Sequence, residues 1–287
     1  MRKSELQHVT IIGAGLLGGS IGLALKRRLP RVLVAGVGRR RRSLRDALRI
    51  GAIDTAHLDL AEAVPRSDLV VLATPVGAFE GYLRAIRPLL KAGAWVTDVG
   101  STKAEVIRSA RRALGAGGPF IGSHPMAGSE RKGPAFARAD LFEGATCILT
   151  PTPRTPPHLA ARAERFWRML GMRVLRMSPA AHDRRVAAVS HLPHVVSAIL
   201  MLLPREADLA LAATGLRDMT RLAAGDPEVW RDILLTNRRE VLRAIRRFTR
   251  DIGRLGEAIS RGDAAAIERP LQRARRRRKR WQPANQG

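Results

Sequence analysis

Short apolar runs alternate with amphipathic stretches through the first half of the chain. Such alternation is typical of βαβ units, in which a helix connects neighbouring parallel strands of one sheet. The helical spacing of apolar residues predicts connecting helices, and the last of them carries Leu159, Ala163, Phe166 and Leu170. The predicted strands are Val9–Ile12, Val32–Val37, Leu69–Ala73, Trp95–Val99, Phe120–Ser123, Thr146–Thr150 and Met172–Met177, and the other helices are Leu16–Arg28, Ser43–Ile50, Val76–Leu90 and Lys103–Leu114.

The pattern changes at Ser178, after which no strand pattern follows. Ser178 and Pro179 are a typical helix start, since serine caps the first turn and proline suits its first position. The helix that follows, residues 180–203, is expected to bend or break at Pro193. We therefore expect an α/β protein: an N-terminal parallel-sheet domain over residues 1–178, then an all-α domain over residues 179–287.

A second long helix is predicted to begin at Asp226 and Pro227. A helix of this length outgrows the domain beside it, so we expect its apolar face to pack against a second copy of the chain. The sequence thus favours a homodimer. The apolar positions of this face are Val229, Ile233, Val241, Ile245, Phe248, Ile252, Leu255 and Ile259.

A glycine-rich turn follows the first predicted strand and opens the first helix. Gly13, Gly15 and Gly18 form a G-x-G-x-x-G pattern, with Leu16 and Leu17 between the last two glycines. In the Rossmann fold such glycines permit a tight turn, close backbone approach to a pyrophosphate and close packing of helix on strand. The N-terminus of the helix then faces the phosphate charge. We therefore expect a Rossmann-type domain that binds a nicotinamide dinucleotide at these five residues.

The end of the second predicted strand bears on which dinucleotide is bound. NAD-preferring sites usually place a carboxylate there for the ribose 2′-hydroxyl. Here Gly38 is followed by four arginines, of which Arg39 and Arg40 come first. Guanidinium groups suit a 2′-phosphate, which slightly favours NADP over NAD, although the arginines could simply be surface residues. Thr74 and Pro75, at the end of the third predicted strand, are also expected at the cofactor.

The formal net charge of +26 raises the question of a nucleic-acid partner. Only six of the 51 basic residues are lysine, and the arginines are spread over the whole chain. Aromatic residues, which would stack on bases, make up 4%. We therefore expect no nucleic-acid partner and interpret the basic run of residues 273–280 as a solvated, frayed tail.

Two further features bear on location. The apolar run Val9–Leu25 contains five glycines and is too short for a good membrane span. The single cysteine, Cys147, excludes an internal disulfide and fits a reducing compartment. We expect a soluble, cytoplasmic protein without a membrane partner.

Five motifs occur in an order that resembles the prephenate and arogenate dehydrogenase family of tyrosine biosynthesis. They are the glycine turn, D-x-G-S-x-K from Asp98, H-P-M-A-G from His124, S-H-L-P-H from Ser190, and T-R-L-A followed by D-P-x-x-W-R-D from Thr220 onward. The resemblance covers nearly the whole chain. It implies oxidative decarboxylation of prephenate to 4-hydroxyphenylpyruvate with hydride transfer to NAD(P)+, or, as the alternative, conversion of arogenate to tyrosine. At this length we expect neither a fused chorismate mutase nor a C-terminal regulatory domain.

The resemblance also assigns roles to residues. His124 matches the catalytic histidine, which accepts a hydrogen bond from the ring hydroxyl of the substrate and assists its deprotonation. An imidazole suits this proton transfer because its pKa lies near neutrality. Ser101 matches the serine that bonds the same substrate hydroxyl, and taken alone it is most simply the N-cap of the following helix. Ser190 and His194 match residues of the substrate pocket, and Arg221 matches the arginine that holds a substrate carboxylate. Taken alone, His191 and His194 would be satisfied core histidines, and no third ligand supports a metal site.

Two rival functions differ in what they need from the sequence. A β-hydroxyacid dehydrogenase would need a catalytic lysine in the helical half, yet no lysine occurs between Lys132 and Lys279. A nucleic-acid-binding protein on a Rossmann scaffold would not need His124 at all. Prephenate and arogenate differ by a keto or an amino group, and no residue of the sequence decides between them.

Overall fold

The computed structural model describes residues 6–128 and 131–281, and the first part of the chain forms one eight-stranded sheet. The strand order is β3-β2-β1-β4-β5-β6-β7-β8. All neighbours pair in parallel except β6 and β7, which are antiparallel. The strands are β1 (His8–Ile12), β2 (Leu33–Val37), β3 (Thr55–His57), β4 (Leu69–Leu72), β5 (Trp95–Asp98), β6 (Phe120–Pro125), β7 (Thr146–Thr150) and β8 (Arg173–Arg176).

Helices cover both faces of this sheet, because its central strands are apolar on both sides. In β4, for example, Leu69 and Val71 join one buried cluster with the helices Leu16–Arg28 and Pro157–Met169, whereas Val70 and Leu72 join another with the helices Phe79–Ile86 and Ala104–Leu114. The helices of this part are α1 (Leu16–Arg28), α2 (Arg41–Arg49), α3 (Leu60–Ala63), α4 (Phe79–Ile86), α5 (Ala104–Leu114) and α6 (Pro157–Met169).

The chain order reverses between β1 and β4, so the connections from these two strands leave the sheet in opposite directions. In sheets of this kind ligands bind at such a switch point, beyond the carboxyl ends of the strands. The glycine turn follows β1, and Thr74 and Pro75 follow β4. Both segments therefore lie at the crevice that the topology creates.

The predicted α/β fold class is confirmed, and all seven predicted strands are present within two residues at each end. The structure adds β3, which the sequence did not predict. Thr55, Ala56 and His57 form a three-residue strand at the edge of the sheet, where two of the three side chains are exposed. A strand so short and so polar gives no periodic apolar signal.

Residues 178–281, as described, contain helices and no strand. Ser178 caps α7 (Pro179–Val186) by accepting a hydrogen bond from Ala181 N at 3.2 Å, as the sequence predicted. Pro193 lies in the first turn of the helix Leu192–Met201, directly after residues 187–191, which are π-helical, so the regular α-helical pattern is interrupted just before the proline. The helices are α7 (Pro179–Val186), α8 (Leu192–Met201), α9 (Thr214–Thr220), α10 (Pro227–Thr236), α11 (Arg238–Ser260) and α12 (Ala264–Arg280).

Two expectations about the C-terminal part were wrong. The single long helix from Asp226 is divided at Asn237, whose φ of −112° and ψ of 25° leave helical geometry. Hydrogen bonds from its side chain to a neighbouring element hold it there. The basic run of residues 273–280 is not frayed but lies in α12, which Asp263 caps through Ala266 N. No helix among the described residues is long and apolar enough to cross a membrane.

Candidate active site

The glycine turn leaves an open space in front of α1. Gly13 has a φ of 99°, and a Cβ there would lie 2.6 Å from the Ala73 carbonyl oxygen. A Cβ on Gly18 would overlap the Gly13 carbonyl oxygen, whereas one on Gly15 would meet no atom within 4 Å. Close packing therefore requires glycine at positions 13 and 18, whereas Gly15 borders free space.

This space fits a dinucleotide phosphate. No side chain caps α1, and its first turn, which includes Leu16 and Leu17, has no acidic residue. The N-terminal N–H groups and the helix dipole thus face the opening, as an anion requires. Thr74 Oγ1 is buried without a hydrogen-bond partner among the described residues. Together with Pro75, which is exposed next to it, Thr74 borders the same crevice.

Arg39 and Arg40 directly follow β2, where the adenosine ribose of a dinucleotide is expected. Both side chains are exposed, and Arg40 is the N-cap residue of α2 without a side-chain capping bond. Among the described residues neither guanidinium forms an ion pair with a carboxylate.

His124 lies inside strand β6 rather than in a loop after it. The sequence predicted that this strand ends at Ser123, but antiparallel pairing with β7 extends it to Pro125, with His124 opposite Ile148. His124 as a whole residue is only 7% exposed. A side chain on a paired strand of the sheet has little freedom, so His124 is held more firmly than a loop residue would be.

The imidazole of His124 is the first member of a buried hydrogen-bonded chain. Its Nδ1 lies 2.8 Å from His182 Nε2, and His182 Nδ1 lies 2.8 Å from Asp183 Oδ1. His182 and Asp183 belong to α7, so the chain crosses from the sheet to the helical part. Burial raises the pKa of Asp183, but bonds from His182 and two backbone N–H groups outweigh it and lower that pKa.

The charge on Asp183 fixes the proton positions along the chain. A carboxylate can only accept, so His182 Nδ1 carries a hydrogen and its Nε2 accepts from His124 Nδ1–H. The neutral His124 therefore has its lone pair on Nε2. Burial, together with the nearby His182 and Lys103, lowers the pKa of His124 well below 6.5. At neutral pH this imidazole is an unprotonated base with one defined accepting atom.

Asp183 also caps α5, a role that the sequence analysis gave to Ser101. Its carboxylate accepts from Lys103 N at 2.7 Å and from Ala104 N at 2.9 Å. The capping expectation for Ser101 was therefore wrong, because α5 begins three residues later, at Ala104. Ser101 is half-buried in the turn between β5 and α5. Its hydroxyl is consequently not needed to cap the helix.

A buried ion pair holds the turn that carries Ser101. Lys103 and Asp98 are both completely buried, and the Lys103 ammonium contacts Asp98 Oδ2. Asp98 also accepts from Gly100 N at 2.8 Å and from Ser123 N at 3.0 Å. This carboxylate thus joins the turn bearing Ser101 to the strand bearing His124, which explains why the D-x-G-S-x-K pattern needs both charges.

The helical part supplies the remaining candidate residues. His194 is 7% exposed and stacks on Trp230, with ring centroids 3.5 Å apart and planes 9° apart. Ser190 is half-buried at the end of the π-helical stretch that precedes α8. The structure thus brings Ser190 and His194 together on consecutive turns.

Arg221 begins a short 3-10 turn after α9, and its side chain is exposed. This turn packs against α8. A Cβ on Gly225, at its end, would lie 2.6 Å from His194 Cε1. The short segment that begins at Arg221 therefore ends, at Gly225, against the candidate substrate residue His194.

Sequence reasoning missed His182, Asp183 and Asn237. Asn237 Nδ2 donates to the Asp183 carbonyl oxygen at 2.9 Å. This hydrogen bond joins α7 to the junction between α10 and α11. An adjacent His-Asp pair in the first helix after the sheet was an available signal. It became informative only when the fold brought it next to His124. Among the described residues no group of three or more His, Cys, Asp or Glu side chains could hold a metal ion.

Comparisons with known proteins agree with this geometry. The family model described as prephenate dehydrogenase, nucleotide-binding domain, matches residues 21–176, and the one described as prephenate dehydrogenase, dimerization domain, matches residues 178–273. The prephenate dehydrogenase of Bacillus subtilis (strain 168) is 33% identical over 277 residues, which cover 93% of this chain and 74% of that protein.

Solved structures are similar as well. Prephenate dehydrogenase from A. aeolicus, in complex with hydroxyphenyl propionate and NAD+, has a TM-score of 0.88 and 32% identity, covering 96% of this chain and 98% of that one. Synechocystis arogenate dehydrogenase has a TM-score of 0.81 and 30% identity, covering 95% and 99% of the two chains. The resemblance carried by the five motifs is thereby confirmed, and the chain belongs to the prephenate dehydrogenase family, whose members are NAD(P)-dependent oxidoreductases.

Proposed function

We propose that this protein oxidises prephenate to 4-hydroxyphenylpyruvate, with release of the ring carboxylate as carbon dioxide and transfer of hydride to NAD(P)+. The observation that carries the proposal is the buried chain from Asp183 through His182 to His124, which leaves one accepting nitrogen on a neutral imidazole. The alternative substrate is arogenate, supported by the similar Synechocystis arogenate dehydrogenase.

The proposed chemistry assigns His124 as the base. Its Nε2 accepts a hydrogen bond from the ring hydroxyl and takes that proton as the hydride leaves the same carbon. The carbon–carboxylate bond then breaks, its electrons enter the ring, and the ring becomes aromatic. Protonation of His124 is transient, and the nearby Asp183 carboxylate stabilises it through His182. The bound nicotinamide supplies the hydride acceptor.

Ser101 is proposed to donate its own hydrogen bond to the same hydroxyl and so to orient it toward His124. On the helical side, Ser190 and His194 are proposed to contact the substrate, and Arg221 to hold a substrate carboxylate. A guanidinium fork matches a planar carboxylate and stays charged at any working pH. The stack on Trp230 supports the role of His194, since it fixes the orientation of the imidazole ring.

We further propose a domain division at Ser178, supported by the end of β8 at Arg176 and by the cap on α7. We propose a cytoplasmic enzyme, supported by the free, buried thiol of Cys147. A nucleic-acid partner is not expected.

Replacement of His124 by asparagine tests the base. An asparagine amide can occupy the position of Nδ1 and keep the bond to His182, but it offers no basic nitrogen at Nε2. We expect kcat with prephenate to fall about 10²–10⁴-fold, as for loss of a general base, while the melting temperature changes little. Reduced-cofactor absorbance measures the rate. His158→Asn, at an exposed position, is the matched control and is expected to keep wild-type activity.

Retention of wild-type kcat by H124N would contradict the role of His124. Wild-type protein that oxidises neither prephenate nor arogenate, with either dinucleotide, would contradict the function itself. The relative kcat/KM values for the two substrates decide between prephenate and arogenate.

The glycine turn predicts opposite effects for two alanine substitutions. Gly15→Ala places a methyl group in the open space and is expected to raise the KM for the dinucleotide about tenfold or more, with an unchanged melting temperature. Gly18→Ala drives a methyl group into the Gly13 carbonyl and is expected to destabilise the fold by about 1–3 kcal/mol. Thermal unfolding and dinucleotide titration separate the two. Equal effects of both variants on stability would disprove the distinction.

We propose that NADP is preferred over NAD, on the support of Arg39 and Arg40 at the end of β2. Replacing both by serine is expected to lower kcat/KM for NADP about 10- to 100-fold, since hydrogen bonds to charged groups contribute roughly 1.5–3 kcal/mol. The value for NAD should stay nearly constant. Arg45→Ser, one turn further along α2, is the control. A wild-type preference for NAD would refute the proposal.

We propose a homodimer formed through the exposed apolar face of α11. Phe248, Ile252 and Ile259 are 38%, 52% and 60% exposed, whereas Val241 is buried within its own chain. Sedimentation at micromolar concentration should give a dimer for the wild type and a monomer for Ile252→Asp. Arg250→Ser, on the opposite face of the helix, should remain dimeric. A monomeric wild type would rule out this interface.

A further inference from the structure

His191 is a completely enclosed histidine for which the proposed reaction has no use. It belongs to the S-H-L-P-H motif, ends the π-helical stretch and is 1% exposed. Its Nδ1 lies 3.1 Å from Asn237 Nδ2, and the same amide nitrogen lies 2.9 Å from the Asp183 carbonyl oxygen. His191 is therefore connected to the residue that ends the His124 chain.

These two contacts determine the tautomer of His191. A carbonyl oxygen can only accept, so it is the NH2 group of Asn237, not its oxygen, that faces Asp183. The second hydrogen of that NH2 group points at His191 Nδ1, which must then accept. Burial lowers the pKa of His191 to about 4, so the ring is neutral and has a single N–H. That hydrogen is on Nε2.

Nε2 of His191 is buried and has no hydrogen-bond partner among the described residues. The backbone of Ser101, in the turn between β5 and α5, lies close enough to the ring to raise the pKa of His191 against the larger effect of burial, so its carbonyl oxygen is an acceptor beside the ring. The neighbours of Ser101 and Asn237 are also joined, since Thr102 Oγ1 lies 2.9 Å from Thr236 Oγ1. The Ser101 turn is thus attached to the element that sets the tautomer of His191.

We propose that His191 is a positioning residue for Ser101: with its tautomer set by Asn237, it presents Nε2–H to the backbone carbonyl of Ser101 and so keeps the serine hydroxyl directed at the substrate. This inference rests on the proposed function, from which Ser101 takes its role. A buried donor without an acceptor is costly, and a small shift of the Ser101 turn toward the ring satisfies it.

Two substitutions of His191, by glutamine and by asparagine, test the contacts of its two ring nitrogens separately. Glutamine can place an amide N–H near the position of Nε2 but gives no acceptor at Nδ1. Asparagine can place an oxygen near Nδ1, for Asn237, but has no group that reaches Ser101. We expect His191→Asn to lower kcat about tenfold or more while the melting temperature stays close to the wild type. His191→Gln should keep kcat within about threefold and lose melting temperature instead.

A double-mutant cycle shows whether the effect passes through Ser101. In a Ser101→Ala background, His191→Asn is expected to have almost no further effect on kcat, because no hydroxyl remains to be positioned. If the double variant instead lost kcat by the product of the two separate effects, the proposal would be overturned. It would also be overturned if His191→Asn and His191→Gln each lost kcat and melting temperature together.

Nitrogen NMR of the wild-type protein labelled with ¹⁵N-histidine tests the tautomer of His191 directly. Because no substitution is made, misfolding of a variant cannot affect the result. The His191 signals should show a neutral ring with its hydrogen on Nε2 that does not titrate near its ordinary pKa. A hydrogen on Nδ1 of His191 would overturn the proposal. Wild-type protein without activity on prephenate or arogenate would refute the proposed function, and this role with it. Activity combined with the wrong tautomer would refute this inference alone.

Discussion

The carboxylate of Asp183 is the interaction on which the active site depends. One oxygen accepts from His182 and from the N–H of Lys103, and the other accepts from the N–H of Ala104. A charge 2% exposed would be expensive to bury alone, but three donors and the positive end of α5 compensate it. The same group therefore terminates the histidine chain, starts a helix of the sheet domain and fixes α7 against it.

A second buried charge arranges the sheet side in the same way. Asp98, at the end of β5, binds Lys103 and the N–H groups of Gly100 and Ser123. Lys103 thus participates twice, through its side chain with Asp98 and through its backbone with Asp183. Since these groups have little room to move, the distance between the Ser101 turn and His124 is set by backbone hydrogen bonds rather than by loop packing. Such support is what a site needs if its groups are to act within a narrow geometry.

Local patterns predicted the parts of the molecule that are locally encoded. The glycine turn, the strands with continuous apolar runs and the helix starts at Ser178 and Asp226 follow from neighbouring residues alone, and they agree with the structure. The errors concern tertiary contacts. Asn237 interrupts a long helix because its side chain binds α7, and Asp183 replaces Ser101 as the cap of α5 although it is 80 residues away. His182 could not be recognised for the same reason, since its partner His124 lies on a strand 58 residues earlier.

The enclosure of so many imidazoles links folding to proton uptake. His124, His182, His191 and His194 each have a pKa below the ordinary value, with burial as the largest cause. In the unfolded chain the same rings would bind protons near pH 6.5, so on acidification the unfolded state gains protons before the folded state does. The contribution of these rings to stability is fully present above pH 6.5 and declines as the pH falls toward 4, where His191 also becomes charged in the fold. The arrangement that keeps the base unprotonated thus makes the protein sensitive to acid.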